Sequence, residues 1–164
     1  MALARHHSVP SRLLDWTREP LTAAFFAAAH NTNEDISVWA LNRRYLYEYN
    51  GAGQIESYDK LSRTGLEFLH IQKGLFTDMI GSEMYHYLHG EWPTLDQYLN
   101  KTYIDPHNNE PYPQDSYLKK IILENSNKDE LLKRLNGMGY NTHCLMPTYD
   151  NVGKSVLPQL TESL

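Results

Sequence analysis

The chain has 164 residues, 41% hydrophobic, 12% aromatic and 21% charged, a length that fits one domain with a sizeable core. Twelve tyrosines and three tryptophans exclude a disordered chain, and a net charge of −5 argues against a general nucleic-acid binder. No apolar run nears the roughly 20 residues of a membrane span, the N-terminal residues do not read as a signal peptide, and the lone Cys144 excludes an intrachain disulfide framework and suits a reducing, cytoplasmic setting.

The first predicted element is a short helical stretch over 2–6, stopped at Val9-Pro10 because the residue before proline is driven to extended geometry. Residues 6–17 then read as a polar, loop-like stretch. A helix follows over 21–29, opened by Pro20 with Thr17 as its N-terminal cap. It is apolar nearly all round, which predicts burial, and its alanines would allow close approach to a sheet. After a polar turn at 31–35, Ile36–Leu41 reads as a strand. Residues 43–49 read as a helix. The glycine pair Gly51 and Gly53 lacks the lysine and hydroxyl residue of a phosphate loop.

Residues 66–71 read as a strand ended by Gly74, 95–103 as a helix and 117–123 as a strand. A helix over 129–138 puts Leu131, Leu132 and Leu135 on one face. A last strand is predicted at 141–146 and a final helix within 147–160. Strands and helices mix without a regular βαβ repeat, which favours α+β over a doubly wound sheet. The predicted fold is therefore one α+β domain over 1–164, a small mixed sheet flanked by helices.

Charge is unevenly spread. Residues 1–73 balance eight basic against eight acidic side chains, whereas 74–115 hold Lys101 against seven acidic residues, and 116–164 carry six basic and five acidic ones. The acidic excess thus sits in the middle segment, which also holds Pro93, Pro106, Pro111 and Pro113. A solvated face or long loop is the plain reading of such a segment. Its Tyr85, Tyr87, Trp92, Tyr98, Tyr103 and Tyr112 also suit a partner surface, since aromatic residues concentrate at interface hot spots, and a basic protein would complement the charge.

The densest polar constellation is His6-His7-Ser8-Val9-Pro10-Ser11-Arg12-Leu13-Leu14-Asp15-Trp16-Thr17. Arg12 can grip a phosphate or carboxylate through its planar fork, and Trp16 can stack on a base or nicotinamide ring. The competing reading is scaffold, with Arg12 and Asp15 paired and capping the next helix. Glu83, His86, His89 and Glu91 lack the spacing of a metalloprotease helix, so no metal site is assigned. Cys144 reads as a buried structural thiol, and no nucleophile-elbow sequence supports Ser-His-Asp hydrolysis.

The run "LARHHSVPSRLLDWTREPLTAAFFAA" resembles the signature of the FRG domain, in which a hydrophobic-Pro-Thr/Ser-Arg-Leu-Leu-Asp-Trp-Thr stretch precedes an alanine-rich helix. "HIQKGLFT" at 70–77 is similar to that family's Gln-Gln-Gly-x-Phe-Thr element, and the stretch from Leu118 to Val156 resembles its closing part. Ser8, Lys73 and Phe68 depart from the family pattern. The name-giving Phe-Arg-Gly motif is absent, so the resemblance implies an N-terminally incomplete domain with an acidic variable segment at 74–115.

The order of motifs in that family is similar to that of ADP-ribosyltransferases, an analogy of fold only. It implies an NAD-using activity, ADP-ribosyl transfer or NAD hydrolysis, while the family resemblance implies a protein of bacterial or phage origin. NAD is then a substrate, with Asp15 and Gln72 as the catalytic residues beneath the ribose and His7, Arg12, Trp16 and Thr17 binding the dinucleotide. The alternative is a non-catalytic ligand-binding or protein-interaction module on the same fold. Without the family's first strand, an open sheet edge would also invite pairing with a second chain.

Overall fold

The computed structural model describes residues 13–30, 33–42, 55–58, 67–102, 117–149 and 151. In chain order these form β1 (Leu13–Thr17), α1 (Pro20–Ala29), β2 (Ile36–Leu41), β3 (Ile55–Tyr58), α2 (Glu67–Ile71), β4 (Gly74–Met79), α3 (Glu83–His89), α4 (Leu95–Thr102), β5 (Leu118–Leu123), a 3-10 turn (Asn125–Asn127), α5 (Lys128–Gly137) and α6 (Thr142–Leu145). The fold is mixed α+β, as predicted. Its described strands make two sheets rather than one: a three-stranded sheet in the order β1-β4-β3 and a two-stranded sheet of β2 and β5. The chain divides into two compact units, one comprising 1–16, 38–61 and 75–121, the other 17–37, 62–74 and 122–164.

The first unit is organised around β4. This strand lies between β1 and β3 and pairs antiparallel with β3, Ile55 opposite Met79 and Glu56 opposite Asp78. Leu75 to Met79 are all buried, the continuous pattern of a strand covered on both faces. Met79, Tyr98, Tyr117 and Leu118 form the core, with Leu14, Trp16, Leu41 and Leu95 packed against it. Two polar groups at this core have local partners. The Trp16 indole N–H donates to Thr77 Oγ1 at 2.9 Å, and the Tyr98 hydroxyl donates to the Ile80 carbonyl at 2.6 Å. Burial pushes the Tyr117 hydroxyl pKa up, with the charge of Asp96 adding to the shift. Helix α4 begins with a capping-box sequence, Thr94-x-x-Gln97, and Gln97 Oε1 accepts from the Thr94 N–H at 3.0 Å.

The second unit is helical. Helix α1 packs against α5. Phe25, Leu135 and Leu145 are buried together, with Leu21, Ala24, Leu131, Leu132 and Tyr140 around them, so the predicted leucine stripe of α5 is the face that packs. Gly139, at φ 85°, provides the left-handed residue after α5, and the Tyr140 N–H then donates back to the Leu135 carbonyl at 2.9 Å.

Several expectations are corrected here. Residues 13–17 of the loop-like stretch are strand β1. Thr17 does not cap α1; Glu19 occupies the N-cap position without a side-chain bond, and Pro20 enters the first turn. Helix α1 is not buried all round, since Phe26 is exposed, and it packs against helix α5. Residues 67–71 form a helix instead of a strand, and Gly74 opens β4 rather than ending an element.

Residues 142–145 likewise form a helix, because the Asn141 side chain accepts from the Cys144 N–H at 3.0 Å and caps it. Cys144 is exposed, not buried. The helices predicted at 2–6 and 43–49, the glycine pair and nearly all of 147–160 lie outside the described residues. Among the described residues no helix is long and apolar enough to cross a membrane.

Candidate functional site

The turn between α2 and β4 is cross-linked by several hydrogen bonds within the second unit. Helix α2 ends as the Gln72 N–H donates to Phe68 O and the Lys73 N–H to His70 O. Lys73 then adopts φ 49°, a left-handed conformation uncommon for a side-chain-bearing residue. Gly74 follows because a Cβ there would lie 2.4 Å from Leu69 Cδ1. This tight turn presents the Gln72 carbonyl to Thr17, whose hydroxyl donates to it at 2.6 Å. The same hydroxyl accepts from the Glu19 N–H at 3.0 Å, and the Arg18 N–H donates to Lys73 O at 3.1 Å.

The Gln72 side chain is engaged as well. Its Nε2 donates to the Leu145 carbonyl at 3.0 Å, tying the turn to α6. At the rim, Lys73 Nζ donates to and ion-pairs with Glu19. The hydrogen bond from Lys73 outweighs the desolvation that pushes the Glu19 carboxyl up and, with the Lys73 charge and a hydrogen bond from Tyr140, holds it below the usual carboxylate range. The same hydrogen bond and charge raise the Lys73 ammonium. Lys73 is exposed and Glu19 only half-buried, so solvent screens this pair and it is a weak fastener.

Of the residues expected to carry chemistry, the fold brings Thr17 and Gln72 together through hydroxyl and main-chain carbonyl. Asp15 and Trp16 belong to the first unit. Asp15 is exposed at the middle of β1, whereas Trp16 packs against the core and has its N–H committed to Thr77. His7 and Arg12 lie outside the described residues. The sequence reading missed Asp78. It is 2% exposed, the only carboxylate among the buried described residues, and it sits beside the buried Thr77 on the central strand. Its signal was the polar pair Thr77-Asp78 inside an otherwise apolar run.

The histidines of α3 are occupied by aromatic neighbours. His86 stacks on Trp92, centroids 4.3 Å apart and planes within 6°, and His89 lies against Tyr85 at 4.3 Å. Among the described residues no group of three or more histidine, cysteine, aspartate or glutamate side chains is arranged to hold a metal ion.

The FRG domain family model matches residues 1–36 of the chain. The matched stretch contains β1 and α1 and ends at the first residue of β2; the similarities at 70–77 and beyond Leu118 lie outside it. No curated protein matches the chain, and no solved structure does.

Proposed function

We propose, from the premise that residues 1–36 match the FRG domain, that this chain acts as a non-catalytic, protein-binding module. The observation that carries the reading is the commitment of Gln72. Its side-chain Nε2 donates to Leu145 O, and its main-chain carbonyl accepts from the Thr17 hydroxyl. A neutral amide stabilises an oxocarbenium-like charge less well than a carboxylate does, and one already bonded within the fold is worse placed to do so. Thr17 and Trp16 are similarly engaged, each in a hydrogen bond that serves packing.

A second reading, an NAD-using ADP-ribosyltransferase-like activity, draws on Asp15, an exposed carboxylate inside the matched stretch. In that chemistry the bond between the nicotinamide nitrogen and the ribose C1′ breaks and its electron pair leaves with nicotinamide. The cationic C1′ is then attacked by an acceptor hydroxyl or water, which loses its proton. Asp15 would stabilise the cation, and His7 and Arg12 would join Trp16 and Thr17 in binding the dinucleotide.

Incubation of the purified chain with millimolar NAD, followed by chromatography for free nicotinamide, separates the two. The expected outcome is no release above the spontaneous rate. Release that disappears in Asp15→Asn would overturn the non-catalytic reading and establish the second.

A further inference from the structure

We infer that the outward face of α3 is a docking surface for a basic, amphipathic segment of a partner protein, an inference that rests on the binding-module reading for the class of its occupant. The helix is held at its ends rather than by burial. Ser82, 3% exposed, donates its hydroxyl to Met79 O at 2.7 Å just before the first turn. Gly90, at φ 76°, closes the last turn with its N–H on His86 O at 2.8 Å. A seven-residue helix is marginal alone, so these anchors and the His86–Trp92 stack fix it in place.

Between the exposed Glu83 and His89, the anchored helix shows three apolar side chains to solvent. Met84, Tyr87 and Leu88 are 65%, 83% and 67% exposed, and their i, i+3, i+4 spacing puts them on one face. No residue of α3 is buried. Methionine adapts to varied partner shapes, and tyrosine offers a large contact with a polar tip.

Charge identifies the occupant. From Gly74 to Asn100 the sequence contains four carboxylates, Asp78, Glu83, Glu91 and Asp96, and no lysine or arginine. Glu83 opens the helix and Glu91 follows its Gly90 cap, and both are exposed, so the apolar residues lie between two exposed carboxylates in the chain. An apolar patch between carboxylates is complementary to a segment with apolar residues flanked by lysine or arginine. A face this small belongs with weak, transient contacts. The structure also narrows the aromatic set read from the sequence. Tyr98 is buried and bonded to Ile80 O, Trp92 stacks on His86, and Tyr103 and Tyr112 lie outside the described residues.

The test is a fluorescence-anisotropy titration of the full chain with a synthetic amphipathic Leu/Lys peptide, alongside its Leu/Glu counterpart. The expected result is saturable binding of the Leu/Lys peptide only. Binding should weaken about tenfold or more in a Met84→Ser, Tyr87→Ser, Leu88→Ser variant and weaken in Glu83→Gln, Glu91→Gln and at raised salt. Because the three apolar side chains are exposed, the variant should keep the wild-type circular dichroism and unfolding midpoint. Binding that is absent, or unchanged in the triple variant, overturns the inference. So does self-association of the wild-type chain that the triple variant abolishes, which would give the face to a second copy. Nicotinamide release would defeat the non-catalytic reading while leaving this titration interpretable on its own.

Discussion

The Thr17 hydroxyl donates to the main-chain carbonyl of Gln72 across 2.6 Å while accepting the Glu19 N–H at 3.0 Å. One side chain therefore serves two backbone groups far apart in sequence. Gln72 extends the connection, since its amide reaches Leu145 O at 3.0 Å. Thr17 and Gln72 thus fasten the turn before β4.

Removing these fasteners has a measurable consequence. Thr17→Val keeps the branched shape but deletes both hydrogen bonds, and should lower unfolding stability by about 1–2 kcal/mol. Gln72→Leu should cost about 1 kcal/mol by leaving the Leu145 carbonyl without its donor. Both act on one junction, so the double variant should lose a different amount from the sum. Urea unfolding of the four proteins gives the cycle, with Thr17→Ser as the control that retains the hydroxyl. Wild-type stability in Thr17→Val would remove the junction's structural role.

Gly74→Ala tests the closeness of the same turn. The added Cβ would fall 2.4 Å from Leu69 Cδ1, 3.1 Å from Leu69 Cγ and 3.2 Å from the Leu69 carbonyl oxygen. The Leu69 methyl can rotate aside, but the main-chain oxygen cannot do so without moving α2. A loss of about 1–3 kcal/mol is expected, in the range of other overpacking substitutions. Urea unfolding reads it directly, and a stability equal to wild type would mean that α2 yields freely.

The Glu19–Lys73 pair sets a pH signature. Glu19 is depressed mainly by the Lys73 hydrogen bond, so its contribution is present above the unfolded carboxylate pKa and is lost as pH falls through the lower folded value. Lys73 is raised mainly by the Glu19 hydrogen bond, so its contribution is present below the unfolded ammonium pKa and is lost as pH rises through the higher folded value. The difference in thermal midpoint between wild type and Glu19→Gln should therefore be flat through neutral pH. It should shrink on the acid side below the usual carboxylate range and again at strongly alkaline pH. Solvent reaches the pair through the exposed Lys73, so the difference should be small and fade with salt. A difference that persisted at low pH would mean that the carboxylate charge is not its source.

Periodic and well-punctuated elements were legible from sequence. Helix α1 follows from Pro20 and the alanine run, α5 from its leucine stripe, and β2 and β5 from their apolar strand patterns. Short apolar runs were not legible. Phe68, Leu69 and Ile71 fit strand or helix equally, because periodicity does not separate the two over five residues. Strand β4 was not legible either, because Thr77 and Asp78 interrupt its apolar run, yet both are buried. The candidate site was half legible: Asp15, Trp16, Thr17 and Gln72 stood out by type and order, but nothing in their order revealed which atoms they would use.

By itself, then, the sequence determined the α+β class, the FRG-like run through Asp15-Trp16-Thr17 and the concentration of carboxylates between Gly74 and Asp115. These depend on residue type and spacing along the chain, which short-range physics reads directly. Tertiary structure decided the rest. The left-handed turn at Lys73 brought the Gln72 carbonyl to Thr17, α6 took the Gln72 amide, and the anchors on either side of α3 left Met84, Tyr87 and Leu88 facing water. Hydrogen-bond partners and solvent exposure are properties of neighbours in space, and residues 55 or 73 positions apart become neighbours only once the chain has folded.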